Sequence, residues 1–108
     1  MAKTPSTMLA LGTIAPDFSL LDTISGELFT LHKHNTAKAI VILFICNHCP
    51  YVKHIQHMLP ILANDYIDKG ILFIAINSND VNQYPDDSPM HMQQIANAVH
   101  YPFPYLYD

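Results

Sequence analysis

A mixed α/β fold built on a parallel strand, helix and strand unit is what this 108-residue sequence predicts, and three observations predict it. Two unbroken apolar runs, Lys38 to Ile45 and Ile71 to Ile76, have the β-branched character of strands covered on both faces. Between them lies a stretch of helical periodicity that opens with a proline and closes with a glycine. Half of the residues are apolar and only 13% are charged, so a packed core is within reach. A chain of this length buries enough surface for one core and little more, which makes residues 1–108 a single domain.

The elements follow in order. Gly12-Thr13-Ile14-Ala15-Pro16-Asp17 is rich in turn formers, and Phe18 to Leu21 with Leu28 to Leu31 reads as a hairpin reversed at Gly26, serving as a lid or an edge. Lys38 to Ile45 is expected to be a central strand ending at Cys46. Pro50 suits the first turn of a helix, where its missing N–H costs nothing, and Val52, Ile55, Leu59, Leu62 and Ile67 keep helical spacing as far as Lys69. Gly70 stands where a left-handed cap is wanted, and Pro60 is expected to kink the helix from inside. Ile71 to Ile76 then completes a right-handed βαβ crossover. Asn77 to Ser88 reads as a polar loop, Pro89 to Val99 as a helix and Phe103 to Tyr107 as a short strand. The cluster Tyr101-Pro102-Phe103-Pro104-Tyr105 is expected at a sheet edge, because proline cannot donate to a ladder.

The charge balance narrows the partners. Five lysines, no arginine and nine scattered acids leave a net charge of −4, with no basic stripe for nucleic acid. Met1 to Gly12 holds one lysine and the short run Met8 to Leu11, too short for a signal-peptide core or a membrane span, so a soluble cytoplasmic protein is expected. In a reducing compartment two cysteines spaced as Cys46-Asn47-His48-Cys49 point to catalysis, redox sensing or metal binding, and away from a structural staple.

The chemistry expected of this segment is thiol chemistry. Thiolate is the reactive form of cysteine, and a strand-to-helix junction offers unpaired N–H groups and the positive end of a helix dipole to lower a thiol's pKa. Cys46 is expected to stand nearest that end and to attack, with Cys49 one turn later resolving the mixed disulfide. His48, between them in sequence, is expected to favour the thiolate by its positive charge when protonated. A metal site is the competing class, since Cys46, His48, Cys49, His54 and His57 fall within twelve residues. The helix-borne His54 and His57 lie too far along to reach back, the spacing matches no common zinc pattern, and Pro50 after Cys49 breaks the haem-attachment pattern. No metal and no cofactor is expected. His32, His34, His91 and His100 are scattered singly and read as surface residues.

Gly12-x-x-Ala15-Pro16-Asp17-Phe18, the hairpin, the apolar strand before Cys46 and the segment Cys46-Asn47-His48-Cys49-Pro50-Tyr51-Val52 together resemble the redoxin group, the peroxiredoxin-like AhpC/TSA type of thioredoxin-fold protein. The resemblance implies a thioredoxin-like fold in which Cys46 is the nucleophile and Cys49 resolves. It also implies a cis-proline loop, further antiparallel strands and a final helix, none of which occurs in this sequence before Asp108. The activity implied is thiol-disulfide exchange on protein or small-molecule disulfides. Two alternatives stay open: a thiol peroxidase acting on peroxides, and a thioredoxin-fold copper chaperone, whose C-x-x-x-C-P segment Cys49-Pro50 resembles one residue short. Peroxiredoxins proper carry a threonine three residues before the reactive cysteine and use an arginine; here that position is Leu43 and arginine is absent. An unprotected edge at Lys38 to Ile45 would lead the 108-residue chain to self-associate.

Overall fold

The computed structural model describes residues 7–34 and 36–108. Met1 to Ser6, part of the segment behind the cytoplasmic expectation, lie outside the described residues.

The hairpin forms as its sequence asks. Strands β1 (Ser19–Asp22) and β2 (Leu28–Thr30) pair antiparallel with Leu20 opposite Phe29, and Gly26 turns the chain at φ 79°, a left-handed conformation that a Cβ would strain. β3 (Ala39–Phe44) and β4 (Ile71–Asn77) are parallel, in register from Ala39 opposite Ile71 to Phe44 opposite Ile76. Two helices, α1 (Pro50–Ile55) and α2 (Met58–Ile67), connect them, and α3 (Pro89–Val99) connects β4 to β5 (Tyr105–Tyr107).

The sheet order is β2-β1-β5-β4-β3, with β4 and β5 parallel and β1 and β5 antiparallel. The order bears on two expectations about position. Among the described residues β3 lies at the margin of the sheet, where a central strand was expected: β4 pairs with it on one side, and Ala39, Ile40 and Phe44 are exposed. β5 is interior and not an edge, because Pro102 and Pro104 both precede it and Tyr105 to Tyr107 keep every N–H for the ladder. The Pro104 carbonyl, which needs no N–H, accepts from Ala75 N at 3.0 Å.

The expected single helix with a kink at Pro60 is instead two helices parted at Gln56 and His57. A proline ring collides with the carbonyl four residues earlier, and for Pro60 that carbonyl belongs to Gln56. The break falls there, leaving Pro60 in the first turn of α2, where its lack of an N–H does no harm.

Strand alternation divides the core. Phe73 and Ala75 of β4 face the helices and pack with Leu59, Ala63, Met92, Ala96 and Tyr105, while Ile74 and Ile76 face the other way, against Phe29, Leu31 and Leu106. The hairpin residues Phe18 and Leu20 close that second face. Among the described residues no helix is long and apolar enough to cross a membrane.

Candidate active site

β3 delivers Cys46 at its C-terminal end, after Ile45 N bonds to Ile76 O at 3.1 Å and extends the pairing by one residue. The helix begins at Pro50, so its cap is Cys49, with extended φ and ψ of −68° and 122°, and the Cys49 carbonyl receives Lys53 N at 3.0 Å to close the first turn. Both cysteines are free thiols and half-buried.

Their environments differ, and in the opposite sense to that expected. Cys49 is held below the ordinary thiol value because the backbone N–H groups of Val52 and Tyr51 point at its sulfur, with a further contribution from the Cys46 thiol. Cys46 is pushed up, first by burial and then by the nearby Asp87 carboxylate and the Cys49 sulfur, against the lowering effect of the Cys49 N–H. The expectation that Cys46 would be the more acidic thiol rested on Cys46 standing at the helix start. Pro50 fixes that start at Cys49 instead.

His48 is tied into a network on the far loop. Its Nδ1 bonds to the Asp87 carboxylate, and its ring stacks on Tyr84 with centroids 4.3 Å apart and planes within 1°. Asp87 is fully buried, in the 3-10 turn Pro85–Asp87 that precedes α3. Its oxygens accept from Asn47 N at 2.6 Å, Asn77 Nδ2 at 3.0 Å and Asn79 Nδ2 at 3.1 Å, besides His48. Burial alone would raise its pKa; these four hydrogen bonds outweigh burial and hold the carboxyl below its ordinary value. Asn47, also buried, donates through Nδ2 to the Asp86 carbonyl at 2.6 Å and accepts from the Tyr105 hydroxyl at 2.9 Å. The Asn77 to Ser88 loop therefore clamps the dithiol loop, and β5 braces it from within the sheet.

Asp87, Asn77, Asn79, Tyr84 and Tyr105 are the residues that sequence reasoning missed. The signals for the first four were the resemblance of Ile76 to Asp80 and Tyr84 to Ser88 to the loop that peroxiredoxin-like proteins carry after the next strand, and a density of Asn and Asp that marks a turn equally well; neither assigns them a role at the dithiol. Asn47 and His48 were flagged only by lying within the Cys46 to Cys49 segment.

Among the described residues, Cys46, His48 and Asp87 bring donor atoms within 4.8 Å of one another. The hydrogen bond between His48 and Asp87 already occupies Nδ1, and four donors already fill the carboxylate, so the cluster is a closed hydrogen-bond network and not an open cation cradle. His54 and His57 are exposed, His54 on α1 and His57 at the break before α2. Of the other histidines read as surface, His34 stacks on Phe29 and His91 bonds Ser88, the cap of α3, at 2.7 Å; both are half-buried.

A dithiol at the end of a parallel strand, before a helix start and in a sheet closed by an N-terminal hairpin, defines a thioredoxin-fold protein. The family model for the AhpC/TSA family matches residues 11–108, and the chain belongs to that family. An uncharacterized conserved protein from Geobacillus kaustophilus is 55% identical, with a TM-score of 0.88 over 94% of this chain and 53% of its own. A hypothetical protein from Sinorhizobium meliloti 1021 is 40% identical, with a TM-score of 0.92 over 98% of this chain and 57% of its own. The chain thus spans little more than half the length of these relatives. The thioredoxin domain of a thiol-disulfide oxidoreductase from Bacteroides vulgatus, at 15% identity, shares the fold with a TM-score of 0.72 over 93% of this chain and 65% of its own. No curated protein matches the chain.

Proposed function

We propose that this chain is the dithiol-bearing part of a thiol-disulfide oxidoreductase that exchanges with protein or small-molecule disulfides, using Cys46 and Cys49. The observation that carries the reading is the pair itself: two free, half-buried thiols, Cys46 just after the C-terminal end of β3 and Cys49 at the cap of α1, where a helix N-terminus favours the thiolate. Membership of the AhpC/TSA family and a fold shared with thiol-disulfide oxidoreductases support redox chemistry of this kind.

The order of events in this proposal reverses the expected one, in which Cys46 attacks and Cys49 resolves. The Cys49 thiolate attacks one sulfur of a substrate disulfide, and that S–S bond breaks as the first substrate thiolate leaves. Cys46 then gives up its proton and attacks Cys49 Sγ in the mixed disulfide, the second substrate thiolate leaves, and the Cys46–Cys49 bond forms. Two electrons pass from the dithiol to the substrate. Cytoplasmic residence, expected from the N-terminal reading, enters the proposal unchanged.

The peroxidase reading meets an apolar side chain where peroxiredoxins carry a hydroxyl. The position that peroxiredoxins fill with threonine is Leu43, whose side chain packs into the core on the helical face and carries no hydroxyl. The experiment is a side-by-side assay of the reduced protein with a protein disulfide and with hydrogen peroxide. Faster turnover of the disulfide is the expected result; faster consumption of peroxide would replace this reading with the peroxidase one.

A further inference from the structure

Asp87 is fully buried, and among the described residues the one basic group in ion-pair contact with it is His48. Three amide donors, Asn47 N, Asn77 Nδ2 and Asn79 Nδ2, reach its two oxygens, which is the hydrogen bonding of an ionised carboxylate. One of those oxygens lies within 4.8 Å of Cys46 Sγ. The negative charge is delocalised over both oxygens, so either one brings it to Cys46. Cys49 stands outside that cluster, at the cap of α1. The two sulfurs, three residues apart in sequence, therefore meet different electrostatic neighbours.

We propose that Asp87 is the positioning residue that assigns the two thiols their roles: its buried charge opposes a thiolate on Cys46, so Cys49 attacks the substrate disulfide and Cys46 is kept for the second exchange. The inference rests on the dithiol reading and gives the order within it a cause. The first exchange is bimolecular and depends on the thiolate fraction of the attacking sulfur, so the carboxylate disfavours Cys46 there. The second is an intramolecular ring closure, whose effective concentration offsets a small thiolate fraction; the proton that Cys46 loses passes to the departing substrate thiolate. Burial and the Asp87 charge act on Cys46 in the same direction. The other titratable groups facing Cys46 are Cys49 from the start of α1, His48 from the dithiol loop and Tyr105 from β5. The Tyr105 hydroxyl donates to Asn47 Oδ1 at 2.9 Å and stays neutral, burial first of all holding it far above neutral pH. His48 offsets the Asp87 charge only while its ring carries a second proton.

The test follows the ionisation of Cys46 in the Cys49→Ser chain, by the rate of iodoacetamide labelling from about pH 6 to about pH 11. A unit charge 4.8 Å away changes an ionisation about fourfold at the dielectric of water, and more in a buried site. Adding Asp87→Asn, with folding checked by circular dichroism, should therefore move the midpoint down by about 0.6 pH units or more. Asn79→Ala loosens the same clamp and keeps the charge, so its midpoint should match that of the parent. A merely structural role would change labelling at every pH with the midpoint unmoved, and that outcome overturns the inference, as does an equal shift in Asn79→Ala. In the exchange itself, the rate of attack on a symmetrical nitrobenzoate disulfide near pH 7 is compared between Cys46→Ser and Cys49→Ser. Adding Asp87→Asn to both should lower that ratio about twofold or more, since the gain in Cys46 thiolate is partly offset by its lower nucleophilicity; an unchanged ratio overturns the assignment of roles. If Asp87→Asn fails to fold, the carboxyl carbon resonance of Asp87 in the Cys49→Ser chain replaces it. That resonance should titrate with the Cys46 midpoint, and one unmoved through the midpoint overturns the inference. Failure of the wild-type chain to reduce any disulfide would sink the dithiol reading instead, a result distinct from all of these.

Discussion

Cys46 and Cys49 are chemically alike and become different through their surroundings, one hydrogen-bonded by helix amides and the other buried next to a carboxylate. The consequence is measurable as alkylation of single-cysteine variants. At about pH 7, the sole cysteine of Cys46→Ser should label faster than the sole cysteine of Cys49→Ser, because a lowered pKa raises the thiolate fraction below the ordinary value. The gap should narrow as pH rises beyond the ordinary thiol range and Cys46 ionises in its turn. Faster labelling at Cys46 would restore the order expected from the sequence. Asp87 carries a second pH effect. A carboxyl whose folded pKa is depressed contributes stability that is complete above its unfolded value and is lost as pH falls through the folded one. Chemical denaturation of wild type should therefore weaken below about pH 4, and Asp87→Asn should flatten that dependence. In Asp87→Ala the Asn47 N–H and its companions lose their acceptor, and a cost of about 3 kcal/mol is expected near neutral pH. An Asp87→Asn profile as steep in acid as that of wild type would show that other carboxylates govern it.

The helices and strands were legible where a local rule decides them and illegible where the sheet decides. α3 spans Pro89–Val99 as its sequence predicts, because Ser88 caps its start and accepts from His91 N, and Pro89 takes the first turn. Its other end holds a surprise: His100 adopts the left-handed φ of 64° that glycine usually supplies, so that the following Tyr101 N–H bonds back to Ala96 O at 3.0 Å. His100→Gly should remove that strain and raise stability by about 0.5 to 1 kcal/mol, measured by urea denaturation; a loss of stability would mean that the His100 side chain makes compensating contacts. The Pro60 break was foreseen in kind and misplaced by a few residues, because the clash acts on the Gln56 carbonyl and not at the proline. The positions of β3 and β5 were not readable, since an apolar run can be a central strand or an outer one, and prolines before a strand resemble prolines in it. The same holds at the site. The spacing of Cys46 and Cys49 is local and legible, whereas Asp87 reaches the dithiol loop only because β4 and its following loop are placed beside it.

Across the whole molecule, the interior half of the sheet is covered on both faces, while the β3 margin has Ile40 and Phe44 exposed and no described strand beside it. An edge of that kind pairs readily with another chain. The 108-residue chain is expected to sediment as a concentration-dependent dimer or larger species, and Ile40→Lys should shift it toward monomer; a monomer at every concentration would mean that the edge is protected by its own twist and side chains. The central claim is that the molecule is organised around a reversible dithiol at Cys46 and Cys49. The most direct measurement is mass spectrometry of the protein alkylated under denaturing conditions after oxidation and after reduction. The account predicts two alkyl groups on the reduced chain, none on the oxidised chain, and return of both on re-reduction. Equal alkylation of the oxidised and reduced samples would contradict it.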